Sequence, residues 1–432
     1  MTSTVSTQKG PAPELPTLGT LFRTFFRIGC LSFGGASGQI AMMHREIVDE
    51  KRWLPEPEFI AGLNFCTLLP GPEAQQLATY IGWRLHGIMG GAITGALFVL
   101  PGALLILLLA HAYMLGASVP AVQSLLLGVK AAVIAIILEA VLKFGRRALS
   151  STALRMLAIS AFVAMMLFGA PFPIVVVVAA LIGVLIGRNT LAPSYEAPSK
   201  PINIPWAAAG VCLFLWWLPV GVAALIFGPG HLLVEIGLFF SKLAVITFGG
   251  AYALLAYLTD QAVARSWVTA TQMLDALGFA ETTPGPTILV NPFVAFLAGW
   301  QREASAGMAW LCGLMALWTT FAPSFLWIFV GGPSLDRIYA NRALRSALAG
   351  ISAAVVGIIA TVGAKFAILV LFPLSELVSF GPFSILAPSG LPDWRALGLG
   401  AFALGLSFVA HWPMLRMLAV VALAGLGLHF LF

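Results

Sequence analysis

Polar and apolar positions in this chain separate into long blocks. The runs Gly87–Gly116, Val122–Leu142, Ala153–Gly169, Pro171–Gly187 and Ala343–Phe372 are close to the ~20 apolar residues that cross a bilayer. They recur along the whole length, which predicts an all-α polytopic membrane protein. Four apolar stretches carry residues that disfavour helix. "LSFGGASGQ" at Leu31–Gln39 returns as "ITFGGAYAL" at Ile246–Leu254, and "LLPGPEAQQ" at Leu68–Gln76 returns as "TTPGPTILV" at Thr282–Val290. Glycine pairs weaken a helix, and proline removes a donor and clashes with the preceding turn.

The recurrence extends along the chain. Glu58–Pro72 aligns with Gln272–Pro286 at an offset of 214 without a gap, matching Phe65 to Phe279. The same offset sets Trp53 on Trp267 and Glu46 on Asp260. At an offset of 222, "GVKAAVIAII" (Gly128–Ile137) overlays "GISAAVVGII" (Gly350–Ile359). Matches in one order indicate an internal duplication. The organisation read from the sequence is a disordered cytoplasmic tail (1–17), a first membrane repeat (18–187), a linker with one extra transmembrane helix (188–230) and a second membrane repeat (231–432).

Loop charges indicate how the repeats are oriented. The loop after Leu142 holds Lys143, Arg146, Arg147 and Arg155, whereas its counterpart Pro373–Arg395 holds Glu376, Asp393 and Arg395. Gly116–Ala121 is uncharged, while its counterpart Gly332–Arg345 carries Arg337, Arg342 and Arg345 against Asp336. Basic loops favour the cytoplasm, so equivalent loops face opposite sides and the repeats are inverted. With each interrupted stretch counted as one crossing, the expectation is about 13 transmembrane segments, N-terminus inside. This count leaves His44–Arg52 outside, although Arg45, Lys51 and Arg52 are only partly offset by Glu46, Asp49 and Glu50. Inverted repeats with broken helices at the midplane are a recurrent plan of secondary transporters.

Composition sharpens the class. The chain is 60% hydrophobic and 9% charged, far from the roughly 25% charged of soluble domains. A net charge of +6 does not signal nucleic acid here, because the basic residues sit between apolar spans. Met1–Pro16 has no apolar core and is not expected to be a cleaved signal peptide. Cys30, Cys66, Cys212 and Cys312 lie apart, so neither a disulfide framework nor a metal site is expected, and no cofactor.

Backbone opened at membrane depth is tolerable only inside protein or beside a polar cavity, and a break exposes half-helix N-termini that attract anions. The candidate substrate-binding set is therefore Arg27, Ser32, Phe33, Gly34, Gly35, Pro70, Gly71 and Pro72 in one repeat, and Lys242, Thr247, Phe248, Gly249, Gly250, Pro284, Gly285 and Pro286 in the other. Arg27 and Lys242 each stand six residues before the phenylalanine of Phe-Gly-Gly. A cation, a hydroxyl and an opened backbone in each half suit a tetrahedral dianion. The alternatives stay open: Arg27 snorkelling to the interface, Ser32 and Thr247 bonding their own helix carbonyls, and glycines serving close packing. Glu73 and Glu281, one carboxylate per half on opposite sides of the break, are candidates for proton coupling, or for an ion pair or cap. Lys130, facing Ser352 in the alignment, is expected to serve packing or the interface.

The paired Phe-Gly-Gly and Pro-Gly-Pro, with Trp53–Leu54, "LNFCTLLPGPEAQQLATYIGWRLHG" at Leu63–Gly87, "FVLPG" at Phe98–Gly102 and "ETTPGPTILVNPFVAFLAGW" at Glu281–Trp300, resemble the chromate ion transporter family, long-chain two-domain type. The resemblance spans nearly all of the chain outside the tail and the central linker. It implies a carrier of the bacterial inner membrane that exports chromate, driven by proton gradient or membrane potential, and confers chromate resistance. Sulfate is nearly isosteric, so chromate or sulfate is the expected partner, along with the bilayer and a homodimeric second copy. The second repeat departs by Ala251 after its Gly-Gly and Asn291–Pro292 after its Pro-Gly-Pro. An oxyanion channel or a sulfate uptake carrier would use the same lining. An intramembrane reductase is disfavoured by the lack of CxxC or clustered ligands, and ATP drive by the lack of G-x-x-x-x-G-K-[ST].

Overall fold

Each interrupted stretch turns back on itself. The computed structural model describes residues 15–33, 35–190, 205–247, 251–334, 341–381 and 383–431. Helices α1 (Leu18–Leu31) and α2 (Gly35–His44) flank the first break. Arg27 on α1 pairs with Glu46 just beyond α2. On a straight helix, nineteen residues would separate the two by roughly 28 Å. Helices α3 (Glu56–Leu68) and α4 (Glu73–Gly116) flank the second break, and Gly62 lies directly on the Tyr80 ring across it.

The second repeat does the same. Lys242 of α9 (Leu232–Ile246) sits 5.9 Å from the ring centroid of Tyr257 on α10 (Ala251–Ala264). Phe279 of α11 (Ala270–Thr282) stacks at 5.4 Å on Phe293 of α12 (Val290–Glu303).

The ends of the hairpins are tied together. In repeat one, His86 Nε2 is 2.5 Å from the Pro16 carbonyl, Arg84 pairs with Glu58, and His44 is 3.8 Å from Glu56. In repeat two, Glu235 meets Arg265 at 3.3 Å and Arg302 at 3.2 Å, and Gln301 donates to Gln272 at 3.1 Å. All four arms of a repeat therefore start or end on one face, with both breaks at the far tips. Arms of 13 or 14 residues reach about 20 Å, short of the ~30 Å hydrocarbon core.

This corrects the expectation that residues 58–86 form one broken crossing, and it removes the basis of the thirteen-segment count. The sequence marks a break but not its angle. The fold-back also returns His44–Arg52 to the face that carries Pro16. The interval from Phe-Gly-Gly to Trp is one residue longer in repeat one, and that residue is absorbed in a π-helical turn, Arg45–Glu50. The match of Glu46 to Asp260 holds only to within that residue.

Beyond the hairpins the chain continues into longer helices. Within α4, His86 and Gly87 (φ +62°) leave the helical region, and residues 88–116 return alongside 73–85, with Thr94 Oγ1 donating to the Ala78 carbonyl at 2.7 Å. In repeat two, α13 (Ala306–Gly331) returns along α12 in the same way. The long helices α5 (Pro120–Ala148) and α14 (Arg342–Leu371) occupy equivalent positions in the two repeats. Each packs against the end of the other repeat. Helix α5 lies on α15 (Trp394–Leu404) and α16 (Met414–Leu431), while α14 lies on α6 (Thr152–Leu167) and α7 (Phe172–Thr190).

Glycine makes both crossings tight. A Cβ on Gly128 would fall 2.3 Å from the Val421 carbonyl, and one on Gly350 would fall 2.3 Å from the Ala179 carbonyl. These two glycines are partners at the 222-residue offset. Helix α8 (Trp206–Phe227), the extra span of the linker, lies against α9 and α13. Five described helices are long and apolar enough to cross a membrane: α4, α5, α8, α13 and α14.

The expectation of a purely helical chain is corrected by one feature. Strands β1 (Glu376–Phe380) and β2 (Phe383–Ala387) pair antiparallel between α14 and α15. Gly381, at φ +57°, takes the turn conformation that L-residues resist. Its counterpart connection in repeat one, between α5 and α6, is too short for such a hairpin.

Candidate functional site

The four tips meet crosswise between the repeats. The Gly71 amide donates to the Thr247 carbonyl at 2.9 Å, and the Gly285 amide donates to the Ser32 carbonyl at 2.8 Å. Each Pro-Gly-Pro is thus stitched to the Phe-Gly-Gly break of the opposite repeat. The two glycines stand at φ +117° and +99°, and flanking prolines offer no N–H, so each tripeptide presents a single amide.

Buried amide side chains reinforce the junction. Gln39 Nε2 donates to the Gly285 carbonyl at 2.5 Å, Gln76 Nε2 to the Pro70 carbonyl at 2.7 Å, and Asn291 Nδ2 to Thr320 Oγ1 at 3.1 Å. The full-length helices supply the floor on each side. A Cβ at Gly102 on α4 would meet the Pro284 carbonyl at 1.9 Å, and Ser324 Oγ on α13 lies 3.2 Å from where Gly71 would carry one. Pro101–Gly102 and Pro323–Ser324 are partners at the 222 offset, a correspondence the motif comparison missed because glycine is replaced by serine.

The predicted binding residues divide at this junction. Ser32 Oγ and Thr247 Oγ1 each donate at 2.6 Å to their own helices, at Ile28 and Leu243, so their hydroxyl protons are engaged locally. Phe33 and Gly35 are half-buried beside the first tip, Pro70 is half-buried, and Pro72, Pro284 and Pro286 are buried. Gly34, Phe248, Gly249 and Gly250 lie outside the described residues.

Arg27 is not brought onto Lys242's partner. Its guanidinium reaches the buried carboxylate of Glu46, whereas the Lys242 ammonium faces the Tyr257 ring. Both cations stay exposed, about one and a half turns from the tips. Glu73 is half-buried at the start of α4, and Glu281 is 2% exposed in the last turn of α11. The starts of α2, α4 and α10 lie at the tips beside the ends of α1, α3, α9 and α11, so positive and negative helix-dipole ends alternate there. Chemically, the junction combines these dipole ends with two cations and two carboxylates at its approaches. Groups of this kind are chemically suited to an anion and to a proton.

A second polar cluster escaped the sequence reading. Lys130 Nζ on α5 lies 3.1 Å from Asp275 Oδ1 on α11, and Tyr113 OH on α4 donates to Asp275 Oδ2 at 2.9 Å. The Lys130 and Asp275 side chains are 15% and 2% exposed. The repeat alignment could not reveal it, because Asp275 falls on Ala61 and Lys130 on Ser352. Among the described residues no group of His, Cys, Asp and Glu is arranged to hold a metal ion.

Comparison with known proteins adds to this geometry. The profile of the family described as "Chromate transporter" matches residues 19–184 and 234–428. A chromate transport protein of Pseudomonas aeruginosa is 31% identical over 413 residues, covering 94% of this chain and 91% of that relative. One from Cupriavidus metallidurans is 29% identical over 346 residues, covering 79% and 81%. A probable chromate transport protein of Synechococcus elongatus is 29% identical over 348 residues, covering 80% and 83%. No solved structure matches the chain.

Proposed function

Because this chain belongs to the chromate transporter family, we propose that it is a secondary carrier that exports chromate across the bacterial inner membrane. It is a membrane transporter, not an enzyme. The reading extends to a proton gradient or the membrane potential as the driving force, and to sulfate as a second dianion.

The observation that carries it is the reciprocal bond between tips, Gly71 to Thr247 and Gly285 to Ser32. Two interrupted hairpins from each half meet at one point, so relative motion of the halves alters access to that point from either face. Alternating access in secondary transporters rests on such paired repeats.

In this reading the hairpins do not cross the bilayer. Each repeat crosses with four helices, α8 crosses once, and the count is about nine crossings. The single extra crossing inverts the second repeat. Lys143, Arg146, Arg147, Arg155, Arg342 and Arg345 then lie on the cytoplasmic side together with Arg45 and Lys51, while Glu376 and Asp393 lie outside. Arg27, Lys242 and the opened backbone of the tips hold the dianion, and Glu73 and Glu281 handle the coupled proton. A homodimer belongs to the proposal as well.

Two experiments test the reading. Thiol labelling of single cysteines at Ser150 and Ala340 should report the cytoplasmic side, and at Ser389 the periplasmic side. Labelling of Ser150 and Ser389 from one side contradicts the inverted arrangement. In proteoliposomes, chromate on the far side should accelerate labelled chromate movement, a counterflow that a channel does not show.

A further inference from the structure

A chamber of about 340 Å³ lies where α10 and α14 meet, roofed by the β-hairpin. Thr259 and Asp260 of α10, Thr361 and Lys365 of α14, and Leu377 and Leu386 of the strands line it. Lys365 Nζ is 3.5 Å from Asp260 Oδ1, with the two side chains 29% and 50% exposed. The threonine hydroxyls donate to the carbonyls of Leu255 at 2.7 Å and Gly357 at 3.0 Å. Among the chamber's polar groups, the ammonium of Lys365 is therefore the donor that an anion would meet.

The chamber and the junction lie along the same helix. Helix α10 starts at a tip, and Asp260 lies nine residues on, about 13 Å along the axis. Tyr257, under the Lys242 ammonium, stands one turn before it. Lys242 and Lys365 thus mark successive depths along α10. The volume equals the share of roughly ten waters, enough for a tetrahedral oxyanion with part of its hydration.

The equivalent place in the first repeat is different. At the 222 offset Lys365 corresponds to Lys143, Thr361 to Glu139 and Leu369 to Arg147. Lys143 pairs with Glu139 on its own helix, Arg147 adds a further cation, and no hairpin covers the site. In the first repeat Lys143 and Arg147 stand with one acid, Glu139. The other has a single cation held by an acid beneath a roof.

We propose that this chamber is a release subsite for the oxyanion. Lys365 receives the dianion from the tips, and Asp260 competes for the same ammonium, so the dianion is held weakly enough to leave. Transit requires each stop to bind well enough to enter and loosely enough to exit. The proposal rests on the exporting-carrier reading.

The test uses the full-length protein in proteoliposomes of known orientation, with chromate as the probe. Affinity is measured from the hairpin side and the opposite side, alongside maximal export rate. Asp260→Asn should tighten hairpin-side affinity about tenfold, the value of one charge-assisted contact, and lower the maximal rate. Lys365→Met should weaken hairpin-side affinity by a similar factor while leaving affinity on the opposite side unchanged, and Lys365→Arg should restore most of it. Wild-type values for Asp260→Asn and Lys365→Met, in protein that transports chromate normally, overturn the release subsite and leave the carrier standing. An effect of Lys365→Met that follows the lipid headgroup instead of chromate assigns the ammonium to a lipid phosphate and likewise overturns it. Absence of chromate flux in the wild type removes the carrier reading and the subsite together.

Discussion

The Gly71 amide and the Thr247 carbonyl, 2.9 Å apart, join the first repeat to the second, and Gly285 and Ser32 make the equivalent bond at 2.8 Å. Glycine is required at both donors. With φ at +117° and +99°, an alanine would be strained by about 1–3 kcal/mol. At Gly71 its Cβ would also press on Gln76 Nε2 at 2.9 Å. Gly71→Ala and Gly285→Ala should each lower thermal stability in detergent and reduce chromate transport. Since the two bonds are equivalent, the variants should resemble one another. Wild-type stability and transport in both would mean the junction tolerates a different backbone.

The pair Lys130–Asp275 makes a different kind of prediction. Removing one member of a buried ion pair costs about 3–5 kcal/mol, because the other charge is stranded. Lys130→Met and Asp275→Asn should each destabilise strongly, as read by unfolding temperature in detergent. Lys130→Met combined with Asp275→Leu should recover most of the loss. Tyr113→Phe should cost about 1 kcal/mol, the value of one hydrogen bond. A double variant no better than the singles would show that the charges do more than hold α4, α5 and α11 together.

How far the sequence reached depends on what each residue type can signal. Phe-Gly-Gly and Pro-Gly-Pro have little use in an unbroken apolar helix, so the breaks and their repetition were legible. The angle of each break was not, because Arg27–Glu46 and His86–Pro16 are tertiary contacts with no local signature. Treating each break as a bend in one crossing underlies the count of thirteen, whereas the fold-back returns Arg45 and Lys51 to the face that carries Pro16. Bonding of the Ser32 and Thr247 hydroxyls to their own helix carbonyls was one of the open readings, and the side-chain rotamers place them on Ile28 and Leu243. Asp275 and Tyr113 have no repeat partner of like chemistry, so only the packing of α4, α5 and α11 brings them to Lys130.

Arg27 and Lys242 occupy equivalent positions with unequal partners. Losing a charge-assisted contact to the dianion is worth about 1.5–3 kcal/mol, or roughly a tenfold to hundredfold loss of affinity. Lys242→Met should show that loss in chromate binding, and Lys242→Arg should retain part of the affinity. Arg27→Met should also strand Glu46, so it should lose stability in addition to affinity. Unchanged chromate affinity in folded Lys242→Met protein would place the anion elsewhere.

Glu73 and Glu281 carry the proposed proton. Glu73→Gln and Glu281→Gln should leave chromate binding in place and flatten the dependence of transport on pH. Normal flux with unaltered pH dependence in both would return the two carboxylates to a structural role.

The carrier account is tested most directly by labelled chromate and sulfate flux in proteoliposomes, with pH gradient and membrane voltage imposed separately. The account predicts saturable chromate movement that responds to an imposed proton gradient or voltage, is competed by sulfate, and needs roughly tenfold to hundredfold more chromate in Lys242→Met protein. Flux that rises linearly with concentration and ignores both gradients would contradict it.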